Sequence, residues 1–232
     1  MKRSPLSHQL SHFMAYLARQ MAEGAETLPS LNELSDELGI SVASLREELQ
    51  VARAMGLVEV RPRTGIKCVP YRFAPAVTKS LAFAVSVDPQ SFKEYSDLRN
   101  HIEASYWYQA VSCLKAEDID RLQHIIQVAQ QKLQSEPLQI PQAEHRQLHL
   151  TIYRRLENEF VQGILETYWD IYEAVGLSVY EDRKYLEHVW QYHQQMVDAL
   201  ARHDFLAGYQ ALVAHMDLLF QRDKQLTNLP FE

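Results

Sequence analysis

Ten histidines are spread over the 232 residues of this chain, and four of them have spacings that can hold a metal ion. His145 and His149 lie four apart in a stretch, 140–156, whose apolar pattern predicts a helix. That spacing sends both imidazoles out from one face. His193 and His215 lie on two consecutive helical stretches, 183–202 and 205–225, with Asp204 midway between them. An antiparallel hairpin bent at Asp204 sets the two rings level, each about three helical turns from the bend. Helical bundles build metal sites from inward-facing side chains of adjacent helices. Neutral imidazoles suit Zn2+, with Ni2+, Cu2+ or Co2+ as alternatives. Spacing alone also allows two unrelated pairs on solvated faces. His8, His12, His101, His124, His188 and His203 have no partner at ligand spacing and read as ordinary surface or core residues.

The elements that must carry these residues are mainly helical. Stretch 6–22 has apolar residues at three- and four-residue intervals and predicts an amphipathic helix that stops before Gly24. Ser30 with Glu33 is a capping box opening a second helix, whose buried face is Leu31, Leu34 and Leu38. Ser41 caps a third, with Leu45, Leu49 and Ala52 as its stripe. Two short helices joined by a tight turn at Gly39 form a helix-turn-helix pattern. After Gly56 the period changes to alternation: Leu57–Arg61 and Ile66–Val69 read as strands around a turn, Pro62–Gly65, making a small wing. Stretch 71–78 reads as a linker. From residue 79 onward every strong pattern is helical, over 79–86, 89–113, 116–135, 140–156, 159–178, 183–202 and 205–225. The fold class expected is therefore mainly α: a winged helix-turn-helix over 1–73, a linker with a first short helix over 74–88, and an antiparallel all-helical domain over 89–228.

Composition fits two globular domains. The chain is 47% hydrophobic and 23% charged, with only 7 Gly and 9 Pro. The start, MKRSPLSHQL, lacks the apolar run of a secretory leader, and no apolar run of about 18 residues is present to span a bilayer. A cytoplasmic protein with no membrane association is expected. The two cysteines, Cys68 and Cys113, fall in different domains and read as free thiols. Net charge is −7, which is unusual for a nucleic-acid binder, but it is unevenly placed. Residues 1–73 hold 9 basic and 8 acidic residues, against 14 and 22 in the remainder. DNA affinity must then come from local placement of arginines and from two modules acting together.

Leu28–Pro70 resembles the winged helix of the GntR family of regulators. The matching residues are Leu28-Pro29-Ser30, Glu33-Leu34-Ser35, Leu38-Gly39-Ile40-Ser41, Leu45-Arg46-Glu47, Gly56-Leu57-Val58 and Gly65. The resemblance implies binding to double-stranded operator DNA. Asn32 and Val42 replace two arginines usual in the family, and Glu48 stands where Ala is common. The family's usual operator sequence is therefore not expected to carry over. Arg46 is retained. Ser30, Ser41 and Ser44 remain able to contact phosphate, and Arg61 and Arg63, with Lys67, stand on the wing.

Residues 90–225 resemble the FCD sensor domain, the partner of this winged helix in the FadR-like subfamily. Its metal-binding members carry Asp-x-x-Phe-His followed by two more histidines. Here the series is His145-x-x-Leu148-His149, then His193 and His215, with Asn158 opening the next helix and Leu98-Arg99 with Glu103 opening the domain. The resemblance implies a single metal held by these four, with His145 in place of Asp, and a small carboxylate effector beside it. Arg99 is a candidate second clamp on the carboxylate; its other reading is an ion pair with Glu103 at i+4. The expected whole is a homodimer on a palindromic operator. Two other readings are a purely structural zinc site, and a metal-dependent enzyme in a helical bundle. Neither H-E-x-x-H nor Glu-x-x-His is present for the latter.

Overall fold

The computed structural model describes residues 9–61, 65–175 and 182–226, and within these the side chains of all but 217 and 219–226. The chain forms two compact units, Met1–Ser80 and Leu81–Glu232.

In the first unit three helices, α1 (His12–Ala22), α2 (Leu31–Leu38) and α3 (Val42–Ala54), accompany three short strands, β1 (Thr27–Leu28), β2 (Val58–Arg61) and β3 (Gly65–Cys68). Both expected caps are formed. Ser30 Oγ accepts from Glu33 N while Glu33 accepts from Ser30 N, and Ser41 Oγ accepts from Ser44 N. Gly39 ends α2 in the left-handed region at φ 67°, where a Cβ is penalised. Phe13, Leu17, Leu34, Leu45, Leu49 and Ile66 close one core. The wing is antiparallel, with Val58 opposite Cys68 and Arg61 opposite Gly65.

Three details differ from the sequence reading. The first helix begins at His12, not at residue 6, because Ser11 caps it by accepting from Met14 N; residues 6–8 lie outside the described residues. β1 adds a third strand, pairing Thr27 with Lys67; two residues are too short to show alternation. The stretch expected as a linker is largely helix: α4 runs Ala74–Val87. Pro75 reads as a breaker, but it sits in the first turn, where its missing N–H costs nothing. There its ring lies against Gly56, and a Cβ on that glycine would fall 2.8 Å from Pro75.

The second unit holds α5 (Gln90–Ser112), α6 (Ala116–Gln134), α7 (Gln142–Tyr153), α8 (Glu159–Ala174), α9 (Arg183–Ala201) and α10 (Phe205–Leu226). Short connections separate them, as is common in helical bundles. Its core is built on Trp107, Leu122, Leu148, Ile152, Met196 and Leu212. Asn158 caps α8 by accepting from Phe160 N and Val161 N. The α9–α10 bend occupies 202–204, with His203 at φ 57° and Asp204 accepting from Ala207 N. No helix of the described residues is long and apolar enough to cross a membrane.

Candidate metal centre

Four polar rings lie in the middle of this apolar bundle. α7 contributes His145 and His149, α9 contributes His193 and α10 contributes His215. One nitrogen from each lies within 4.8 Å of the corresponding nitrogen of every other. His149, His193 and His215 are fully buried, and His145 is half-buried. The α9–α10 hairpin brings the His193 and His215 rings to 4.3 Å between centroids. His149 Nε2 and His193 Nε2 are 3.2 Å apart.

Burial decides the charge state of these rings. Desolvation holds His149, His193 and His215 well below the usual histidine range, and the Arg99 guanidinium adds to the effect on each. Neutral imidazoles present lone pairs. Among the described residues, both ring nitrogens of His215 and Nδ1 of His193 have no hydrogen-bond partner, although all are buried. Such groups cost about 1–3 kcal/mol each when left unmet. A divalent cation answers that deficit, and the donor set fits one. Two nitrogens each about 2.1 Å from a common ion lie about 3.0–3.4 Å apart for adjacent ligands, the separation found between His149 and His193.

A charged pair lies against the rings. Arg99 and Glu103, both from α5 and both essentially unexposed, form the i,i+4 ion pair at 3.0 Å. Arg99 also donates to Asn100 Oδ1 at 3.0 Å and stands 2.9 Å from His149 Nδ1. Glu103 places both carboxylate oxygens 3.2 Å from that same Nδ1. Burial pushes the Glu103 carboxyl above its ordinary range, and Arg99 opposes this. The guanidinium packs over Tyr168 and Trp169, at 4.6 and 5.5 Å. Trp169 is 4.6 Å from the His145 ring, and Trp190 is 4.8 Å from that of His193.

The structure thus brings together all four histidines singled out by spacing, and it places Arg99 beside them. The i+4 pair with Glu103 is formed as well, and Arg99 keeps one buried donor, Nε, without an acceptor among the described residues. Sequence reasoning missed the contact of Glu103 with His149 and the lining role of Trp190. The Arg99/Glu103 spacing signals only their own i,i+4 pair. In the N-terminal unit Ser30 and Ser41 are exposed N-caps, Ser44 is half-buried and Arg46 is exposed on α3. Arg61 is exposed and paired with Glu59 at 2.8 Å. Arg63 lies outside the described residues.

Comparison with known proteins decides the family. The FCD domain family model matches residues 94–218, more than half of the chain and all four histidines. The chain is a GntR-family transcription regulator with an FCD domain. Over 209 residues it is 25% identical to the Uxu operon transcriptional regulator of Escherichia coli K12, covering 88% of this chain and 80% of that one. A solved GntR protein of Streptococcus agalactiae superposes with a TM-score of 0.63 over 90% of this chain and 97% of its own, at 14% identity. It shares the fold. McbR/YncC of E. coli matches 94% of this chain and 100% of its own, at 21% identity and a TM-score of 0.48.

Proposed function

We propose that this regulator binds a palindromic operator as a homodimer and is controlled by a small carboxylate that docks at a metal ion in the FCD domain. His145, His149, His193 and His215 hold the ion, zinc in the first place and nickel as the alternative. Residues 1–73 read the DNA, 74–88 connect, and 89–228 sense. The observation that carries the sensing half is the meeting of four imidazoles from three helices, with buried nitrogens that nothing else in the described chain satisfies.

A bound cation of this kind supplies a Lewis-acidic anchor for one carboxylate oxygen. The chain supplies the rest. Arg99 Nε and Trp169 Nε1 are buried donors without acceptors among the described residues, and both belong to rings or planes packed around the histidines. An anion seated there accepts from them and removes two desolvation penalties. The surrounding Tyr168, Trp169 and Trp190 exclude water, which strengthens each of these interactions. In the N-terminal unit, exposed Arg46 on α3 addresses base edges. Ser30, Ser41, Ser44, Arg61 and Arg63 address phosphates.

Thermal-shift titration tests the scheme, with zinc or nickel alone and then with a panel of small hydroxy, keto and dicarboxylic acids. A metal-dependent rise in Tm that a particular acid extends is the expected result. A rise with metal that no acid extends assigns the ion a bracing role. No response to metal removes the centre.

A further inference from the structure

We infer that Glu103 is a positioning residue that fixes the tautomer of His149, so that its Nε2 lone pair faces the centre of the histidine cluster. The inference rests on the metal centre proposed above, and it concerns a residue of α5, a helix that contributes none of the four imidazoles.

His149 Nδ1 is contested. Two carboxylate oxygens of Glu103 lie 3.2 Å away and can only accept. The Arg99 Nη2 lies 2.9 Å away and can only donate. One ring nitrogen cannot serve both. If it accepts from Arg99, the proton sits on Nε2 and points toward His193 Nε2, 3.2 Å away, where it blocks ligation. If it donates to Glu103, Nε2 is left bare. The Arg99–Glu103 contact of 3.0 Å lets the guanidinium take the carboxylate as its acceptor instead of the ring, with Asn100 Oδ1 as a second acceptor. Glu103 therefore acts twice: it receives the Nδ1 proton and it occupies the competing donor. Tyr153, on the same helix as His149, donates to the Glu103 carbonyl at 2.9 Å, which holds α5 and α7 in register at this point. A buried carboxylate with no role beyond its ion pair is costly to keep. A ligand histidine whose second nitrogen must be oriented gives it one.

Nitrogen-15 spectra of the histidine side chains, with His149 assigned by its loss in His149→Ala, test this directly. In the wild-type protein His149 carries its proton on Nδ1, with and without zinc. In Glu103→Gln the released guanidinium moves the proton to Nε2, and zinc affinity in a competitive chelator titration falls about 10- to 100-fold. Should Glu103→Gln fail to fold, Arg99→Met/Glu103→Gln removes the unpaired charge together with the competing donor, and regains zinc affinity toward the wild-type value. A wild-type His149 protonated on Nε2, or wild-type zinc affinity in folded Glu103→Gln, overturns the inference. Absence of zinc uptake by the wild type fails the metal centre instead, and the metal-free spectrum still decides the tautomer.

Discussion

The proposed all-imidazole ligand set would bring no negative charge to a bound ion, so a divalent cation there would keep its full +2 while Arg99 and Glu103 offset one another. That makes the centre a strong anion site and a poor host for Mg2+ or Ca2+, which prefer oxygen donors. His145, half-buried, is the position to test. His145→Asp adds one negative charge at the ion; zinc uptake is expected to persist, while affinity for a carboxylate falls by about tenfold or more. Competitive titrations with chelator and with acid separate the two effects, and unchanged acid affinity would show that the ion's charge does not govern binding. His193→Ala or His215→Ala should abolish stoichiometric metal uptake, read by elemental analysis; full retention would remove that ligand set. The same burial gives a pH signature to the metal-free protein. His149, His193 and His215 stay neutral when folded but gain protons when unfolded as pH falls through about 6.5. The unfolded state then binds more protons, so stability drops with falling pH by up to about 1.4 kcal/mol per pH unit for each ring. Glu103, raised by burial, acts with the opposite sign above its ordinary range. Urea midpoints of metal-free protein at pH 7.5 and 6.0 should therefore separate, and His193→Ala should narrow the gap. At this scale spacing revealed the ligand candidates, because i,i+4 and hairpin symmetry are properties of the chain. It could not reveal the Glu103–His149 contact, which depends on how α5 settles against α7.

Among the elements, the α9–α10 hairpin is the one whose geometry the centre depends on, and its bend at 202–204 was readable from Asp204 midway between two histidines. What sets the depth of α10 was not readable. Gly208 lies in its first turns, and a Cβ there would come 2.7 Å from Cζ2 of Trp107, a ring with no exposure that has no room to retreat. Gly208→Ala should push α10 away from α5 at a cost of about 1–3 kcal/mol. His215, about two turns further along, would move with it, so zinc affinity should fall although no ligand has changed. Chemical denaturation together with metal titration checks both parts; lost stability with unchanged zinc binding would show that the hairpin bends locally instead of shifting as a unit. Helix starts at Ser30 and Ser41 were legible because a capping serine is a local signal. β1 and the first turn of α4 were not, since a two-residue strand has no period and Pro75 is a breaker everywhere except in a first turn.

In the whole molecule, the proposed function puts DNA reading and acid sensing on separate compact units, and the charge divides between them: the excess of acidic residues lies beyond residue 73. With few basic residues to spare, each phosphate contact matters, and operator affinity should fall with salt at a slope of about 0.9 per neutralised phosphate. Arg46→Ala should weaken specific binding by about 1–3 kcal/mol if it reads a base edge, whereas Arg61→Ala should lower the salt slope and weaken all sequences alike. Control by a carboxylate adds a stronger requirement. If an acid changes operator affinity by some factor, the operator must change acid affinity by that same factor, because both describe one coupling free energy. Typical couplings of about 1–3 kcal/mol amount to roughly 5- to 150-fold, well within reach of fluorescence anisotropy on operator DNA and of calorimetry on the acid. The zinc-loaded protein should show a reciprocal factor of this size, and the His193→Ala protein, lacking its ion, should show operator binding that the acid no longer alters. An acid that binds the zinc-loaded protein while leaving its operator affinity untouched would mean that the centre does not control the DNA-binding unit.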